Sequence, residues 1–518
     1  MKVSAQMNIG WVFWLLSVGS FAALGGGQLA ASGDLRLVEA VKAENKEAVR
    51  ALLGNQIDVN VAEGDGTTAL HWAVYKEDVD TADSLIRLGA HVDAANDYGV
   101  TPLRLACENG NASIVAKLLA AGASANAAVN TGETVLMMCA RTGSVDGVTM
   151  LLDYGADVEA KETSQRQTAL MWAAAMRHPD VVRVLLQYGA NVQARSRVSR
   201  EVISRRLQSD LKHAERLKKY GTDAEETAIG GFTPLLFAVR EGDVESAGLL
   251  LAAGANVNDR MPDGVSALML ATLSEQPAMA RFLLDKGADP NVLSAGYAAL
   301  HAAVMTGDAD LVEKLLVHGA RPNVAVTQAT RVTRNGQQLF LGEHVLGATP
   351  FALAAKFTEV GIMQVLAKHG ADPLLALKNG WTPLMLAAGG GWKYRTWDRR
   401  DRALINNLET QQEILDESGT LEAVKLALTL DGSNINAVDE DGNTALHHVV
   451  DKRFNSVVQF LVDHGAKLDT KNNRGQTPLV MLLRGRRGLV DGGDEVVQQD
   501  PAIKVTADLL RKLMGEQK

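Results

Sequence analysis

The side chains able to do chemistry are few and far apart. His71, His301 and His447 each stand three residues after Thr68, Ala298 and Thr444. An imidazole can ligate a metal or move a proton, but either role needs a second group within hydrogen-bond or coordination reach. His448 and His464 add a loose cluster around His447 without ligand spacing. Cys107 and Cys139 are the only cysteines, and they read as two buried free thiols replacing helix alanines rather than as a bridge or redox pair. Gly389-Gly390-Gly391 lacks the Lys-Ser/Thr of a phosphate-binding loop and reads as linker. The sequence contains no Gly-x-Ser-x-Gly elbow, zinc-protease helix or paired-cysteine metal motif. No catalytic residue, cofactor or metal is therefore expected, and the chemistry left is recognition.

What positions these residues is a repeat. A Thr-Pro-Leu-like triplet starts at Thr68, Thr101, Thr134, Thr168, Thr233, Ser266, Ala298, Thr349, Thr382, Thr444 and Thr477. The intervals are 33, 33, 34, 65, 33, 32, 51, 33, 62 and 33 residues. A second marker, Gly-Ala at a helix end, keeps the same period from Gly89 to Gly465, with Gly432 in a degenerate copy. Two independent markers on one period specify a stacked array. Within each unit, Thr caps a helix and Pro occupies its first turn, where the missing N–H costs nothing. A Leu-Leu pair then gives a second helix its core face, and Gly supplies the left-handed stop. One such pair cannot bury its own apolar side, so neighbours must stack. At this spacing His71, His301 and His447 cannot share a metal.

These residues resemble the ankyrin repeat family, whose pattern runs G-x-T-P-L-H-x-A-A-x-x-G before a helix ending L-L-x-x-G-A-D-x-N. Gly66-Thr67-Thr68-Ala69-Leu70-His71-Trp72-Ala73 carries the first part. Leu250-Leu251-Ala252-Ala253-Gly254-Ala255-Asn256-Val257-Asn258 carries the second. The match spans nearly all of 34–484 and implies an all-α solenoid of about 11–12 helix-turn-helix repeats with projecting hairpin loops. In that family the histidine braces adjacent hairpins. Partners bind at the hairpin tips and on the concave face of the first helices. Here those positions include Tyr98, Arg141, Phe232, Arg240, Glu241, Tyr297, Lys356, Phe357, Trp381, Glu440 and Asp441, with Tyr98, Phe232, Tyr297 and Trp381 expected as exposed anchors.

Three intervals are too long. The first excess, Arg195 to Lys219, has nine Lys or Arg against three Asp or Glu, and Val198, Val202, Leu207, Leu211 and Leu217 suit an amphipathic helix. Such a helix would lie on the acidic solenoid or meet an anionic partner or membrane surface. The second excess, Thr327 to Gly347, is polar with a Gly336 turn and suggests a hairpin. The third falls between the two helices of one repeat and holds Trp392, Tyr394, Arg395, Trp397, Arg399 and Arg400. These residues either dock an acidic partner surface or pack over the solenoid edge.

The chain is thus divided into a signal peptide at 1–32, a divergent N-terminal capping repeat at 34–66, ankyrin repeats at 67–195 and a basic helical insertion at 196–230. Repeats at 231–326, an insertion at 327–347, repeats at 348–484 with an insertion at about 389–418, and a C-terminal cap at 485–518 complete it. The apolar run Trp11 to Leu24 is too short to span a bilayer comfortably, and small residues follow it. Cleavage is expected after Ser32 or Gly25, with an uncleaved anchor as the alternative and the only route to membrane contact. The formal net charge of −9 argues against a nucleic-acid partner. No unassigned segment has enzyme size, so the expected protein is no enzyme and has no small-molecule substrate. It is a monomeric, exported bacterial scaffold, periplasmic or secreted, that holds or protects a protein partner. The alternative is a secreted effector that binds a host protein.

Overall fold

The computed structural model describes residues 34–204 apart from 56, 224–341 apart from 295, 329, 335 and 336, then 345–389, 417–431, 435–484 and 501–515. The signal segment and Trp392, Tyr394, Arg395, Trp397, Arg399 and Arg400 lie outside the described residues. The architecture is an all-α stack of paired short helices. A representative unit is α3 (Ala69–Tyr75) with α4 (Val79–Arg87), followed by α5 (Pro102–Glu108) with α6 (Ala112–Ala120) and α7 (Val135–Thr142) with α8 (Val145–Asp153). First helices pack on first helices and second on second, down the array.

The repeated residues explain each unit. The Thr68 side chain accepts the His71 N–H, the Thr101 side chain accepts the Arg104 N–H, and Pro102 fills the first turn of α5. Leu70, Ala73, Leu85, Leu103, Ala106 and Leu118 are buried in one continuous core, and Leu250 repeats the pattern farther on. Gly254, at φ 94°, turns the chain out of its second helix.

Neighbouring units are also stitched by polar groups. His71 Nδ1 accepts the Thr68 N–H at 3.1 Å, which fixes the tautomer and leaves Nε2–H to donate to Val100 O of the next unit at 3.0 Å. His301 and His447 repeat this from Ala298 to Ala348 O and from Thr444 to Gln476 O. None of the three is a metal ligand; each imidazole has both nitrogens committed to backbone. Burial lowers the pKa of all three, that of His301 to about 4. Asn60 donates to Gly89 O and accepts the His91 N–H, and Asn126 does the same with Gly155 and Asp157. Asn323 reaches Gly370 O and the Asp372 N–H, so the stitch passes over the second insertion as if the chain were continuous.

The insertions leave the stack unbroken. In the first, β1 (Val198–Ser204) pairs antiparallel with β2 (Ala224–Gly230), from Val198 opposite Gly230 to Ser204 opposite Ala224. The helix expected from Val198 and Val202 is therefore corrected at both ends of that insertion. A β-branched run finds a non-local partner strand and gains a ladder that local periodicity cannot reveal. Leu207, Leu211 and Leu217 lie outside the described residues. In the second insertion, β3 (Thr330–Arg334) pairs with β4 (Gln337–Leu341) in a hairpin. At the third, the helices α19 (Pro383–Ala387) and α20 (Glu417–Asp431) of one repeat pack against each other.

The free-thiol expectation is also corrected: Cys107 and Cys139 form a disulfide, with Cα atoms 4.6 Å apart. Cys107 is the sixth residue after Thr101, whereas Cys139 is the fifth after Thr134. Equivalent positions of stacked helices sit roughly 10 Å apart, beyond disulfide reach. The one-residue offset places the two on facing sides of the α5–α7 seam. Neighbouring seams carry Val74 with Ala106 and Ala140 with Ala173 at these positions, all buried.

Candidate functional site

The residues outside the core register gather on the first-helix face. The position four residues after each repeat Thr looks across this face, beside the residue just before the Thr and the seventh after it. Trp72 takes the fourth position of its repeat, and its indole N–H donates to Glu63 at 2.7 Å. Lys42 lies 4.5 Å from the Trp72 ring centroid and 3.0 Å from Glu63, while Tyr75 meets the ring edge-on at 5.7 Å. Trp172 holds the same position farther along, with the Arg141 guanidinium 5.5 Å from its ring. Its indole N–H is buried without a hydrogen-bond partner.

Phe232 and Phe237 follow, 5.1 Å apart, with Arg240 5.2 Å from each ring. Glu241 pairs with Arg240 at 2.8 Å. Farther on, Trp381 stacks on His448, with centroids 4.5 Å apart and planes 30° from parallel. Ring and cation thus meet at Trp72, Trp172 and the Phe232–Phe237 pair, and at Trp381 a histidine ring takes the place of the cation. Each such contact contributes about 0.5–2 kcal/mol, more as water is excluded. Most of these rings are half-buried, which leaves area for a partner to cover.

Among the sequence candidates, Tyr98 is exposed at 63%, on a hairpin tip, and Glu440 and Asp441 are exposed as well. Arg141, Phe232, Arg240, Glu241 and Trp381 are half-buried and take part in the contacts above. Three candidates are corrected. Tyr297 is 2% exposed, Lys356 is 4% and Phe357 is 8%, so none is an available anchor. Tyr297 exchanges backbone hydrogen bonds with Ser294, Thr327 N–H donates to Gly296 O, and β3 packs on α15 (Ala299–Thr306) beside it. The second insertion thus folds back over this repeat, and burial pushes the Tyr297 phenol well up. Phe357 ends α17 (Pro350–Lys356), and the left-handed Thr358 turns the chain so that its ring joins the core.

Sequence reasoning followed the residues flanking each repeat Thr and the seventh and eighth after it, and passed over the fourth. Trp72, Trp172, Phe237 and His448 share that fourth position, and their aromatic character against the Leu, Met and Ala of other repeats was the available signal. Behind Trp381, His448 Nε2 donates to the buried Asp439 carboxylate at 3.0 Å. A cavity of about 180 Å³ opens beside them, walled also by Asp441, Asn443 and Met481. Among the described residues, no cluster of three His, Cys, Asp or Glu side chains is placed to hold a metal. No described helix is long and apolar enough to cross a membrane.

Residues 37–129, 117–196, 206–294, 235–326, 300–393 and 414–491 match the family model described as ankyrin repeats (3 copies). Over 161 residues the chain is 36% identical to Protein PhlB of Serratia liquefaciens, covering 31% of this chain and 62% of that protein. Over 242 residues it is 28% identical to neurogenic locus notch homolog protein 1 of Homo sapiens, covering 44% of this chain and 8% of that one. The chain therefore spans less than two thirds of either relative. The crystal structure of the human ASB11 ankyrin repeat domain aligns at 26% identity with a TM-score of 0.39, covering 49% of this chain and 98% of that domain.

Proposed function

This chain belongs to the ankyrin-repeat family, and from that membership we propose that it is an exported interaction scaffold, which holds or protects a partner protein in the cell envelope. Ankyrin repeats mediate protein–protein interaction, and the row of ring and cation contacts on the first-helix face carries the reading here. Core positions repeat Leu and Ala from unit to unit, whereas the half-buried Trp72, Trp172, Phe232 and Trp381 stand where the fold itself sets no such demand. Aromatic and arginine side chains are the types that dominate binding energy at interfaces. A preformed face also avoids most of the ordering cost of association.

The Cys107–Cys139 disulfide supports export, because such bonds persist in oxidising compartments and are rare in the cytosol. So does the apolar run at Trp11 to Leu24 followed by small residues. The test combines two measurements on cells making the full chain. The mature N-terminus should fall near Gly33 or Gly26, and affinity capture from the envelope fraction should retain a partner that Arg141→Ala with Trp172→Ala releases. An intact Met1 in the cytosol refutes export. Capture indifferent to both substitutions refutes this face as the docking surface.

A further inference from the structure

The Trp381 station differs from the others in carrying a buried carboxylate and imidazole that the fold does not require. Five residues before the repeat Thr at Thr101, Thr444 and Thr477, a hairpin side chain accepts two backbone N–H groups. Asn96 Oδ1 takes those of Tyr98 and Val100 at 3.1 and 3.0 Å, and Asn472 takes those of Arg474 and Gln476, both at 3.0 Å. A neutral amide is therefore sufficient. At Asp439 the same two bonds, from Asp441 N–H at 3.0 Å and Asn443 N–H at 2.8 Å, go to a buried carboxylate. Burial raises the Asp439 carboxyl, but the hydrogen bonds from His448 and Asn443 outweigh it and hold the group below the ordinary carboxylate value. The turn gains nothing from this charge, and burying it is costly.

The second carboxylate oxygen takes the Nε2–H of His448. That bond fixes the tautomer and leaves Nδ1 as an acceptor, buried with no hydrogen-bond partner. An unanswered buried acceptor is a standing cost that an incoming donor removes. His448 also lines the 180 Å³ cavity, between the half-buried Trp381 ring and the exposed Asp441 carboxylate at the mouth. The cavity therefore offers an aromatic face, an anionic rim and surplus acceptors. Arg474, the one Lys or Arg among the described residues of its lining, stands at the exposed rim and is already partnered. A planar cation rich in N–H donors matches this set, because guanidinium stacks on rings and forks onto carboxylates.

We propose that this cavity receives an arginine side chain of the bound partner, stacked on Trp381 and donating to Asp441 and to the free acceptor of the His448 ring. The proposal rests on the reading that the first-helix face binds a protein and names the chemistry at one point of that face. N-acetyl-arginine amide and its neutral isostere N-acetyl-citrulline amide serve as probes, titrated into the mature full-length chain by calorimetry with the His448 imidazole followed by nitrogen NMR. The arginine amide should bind at least tenfold more tightly than the citrulline amide and shift the His448 resonance. Asp441→Asn should weaken it at least tenfold, and Arg474→Ala should strengthen it. Both substitutions are at exposed positions, so thermal midpoints should stay put, and neither touches the core. Equal binding of the two amides, or an affinity indifferent to Asp441→Asn, overturns the proposal. Partner capture that persists under those overturning results leaves the scaffold reading intact. Arginine-selective binding by a chain that captures no envelope protein supports the cavity and removes the scaffold reading instead.

Discussion

Replacing Cys107 and Cys139 together by alanine isolates what the disulfide contributes. Alanine is the residue at Ala106, Ala140 and Ala173 on the adjoining seams, so the double variant keeps the local packing pattern and removes chiefly the cross-link. The two sulfurs close a loop with a sequence separation of 32. In the chain-entropy account, a loop of that length restricts the unfolded chain by about 4 kcal/mol at 25 °C. Because each repeat contacts only its neighbours, that loss should fall on the units containing α5 to α8 and fade with distance. Long arrays need not unfold in one step, so a single midpoint would blur the effect. Amide hydrogen exchange reads it locally. Opening of Ala112–Ala120 and Val145–Asp153 should become roughly 10³-fold more frequent, at about 1.4 kcal/mol per decade. Exchange in Asn455–Asp463, far along the chain, should not change. Unchanged protection across α5 to α8 would refute the reasoning. Alkylation of two thiols in the unreduced mature protein would refute the bond itself.

Leu250→Ala should cost about 2–5 kcal/mol, because Leu250 is fully buried, and Leu251→Ala should cost less because Leu251 is half-buried; a urea titration showing the reverse order contradicts the register. The folded pKa values of His71, His301 and His447 are depressed by burial, so the unfolded chain binds more protons in acid. The stabilisation from all three is complete above about pH 6.5 and is lost as pH falls through their depressed folded values; for His301 that value is about 4, and its contribution is on the order of 3 kcal/mol. Denaturant midpoints should fall over that window and fall less in His301→Gln; a flat or inverted profile rules the account out. Deleting Trp392 to Arg402 should leave the array as stable as before and abolish partner capture; lost stability or retained capture makes the segment structural or idle.

The stack was legible because each of its parts has a short-range signature. Thr caps, Pro at the first turn, Gly stops and paired leucines recur on one period, and each acts within its own unit. What stayed hidden depends on contacts between distant segments. Val198, Val202 and Ile203 suit one helix face and a strand equally well, and the choice falls to pairing with Ala224–Gly230. Tyr297 has the sequence position of an exposed anchor, but the hairpin of the second insertion packs on its repeat. The disulfide depended on a one-residue offset that a count of cysteines cannot convey. At the Trp381 station, Asp439 looks like any hairpin Asx residue until His448 is seen to share its carboxylate.

Stability and recognition are separable in this protein only where they fall on different positions of the repeat, and at one place they do not. Cys139 and Arg141 lie on the same helix, α7, two residues apart. The disulfide fixes that helix against α5 on one side, while Arg141 reaches Trp172 of the following repeat on the other. His178 adds a further tie by contacting Arg141 O at 2.9 Å. Loosening the seam at Cys107–Cys139 therefore allows the guanidinium to drift from the Trp172 ring without any change in either residue. Trp381 and Asp441 sit on other repeats and share no contact with that helix. The double-alanine variant should then lose the Arg141 contribution to capture and keep its arginine-amide affinity at the Trp381 cavity. Equal loss at both places would mean that the repeats are coupled beyond nearest neighbours, and the one-dimensional account of this array would have to be abandoned.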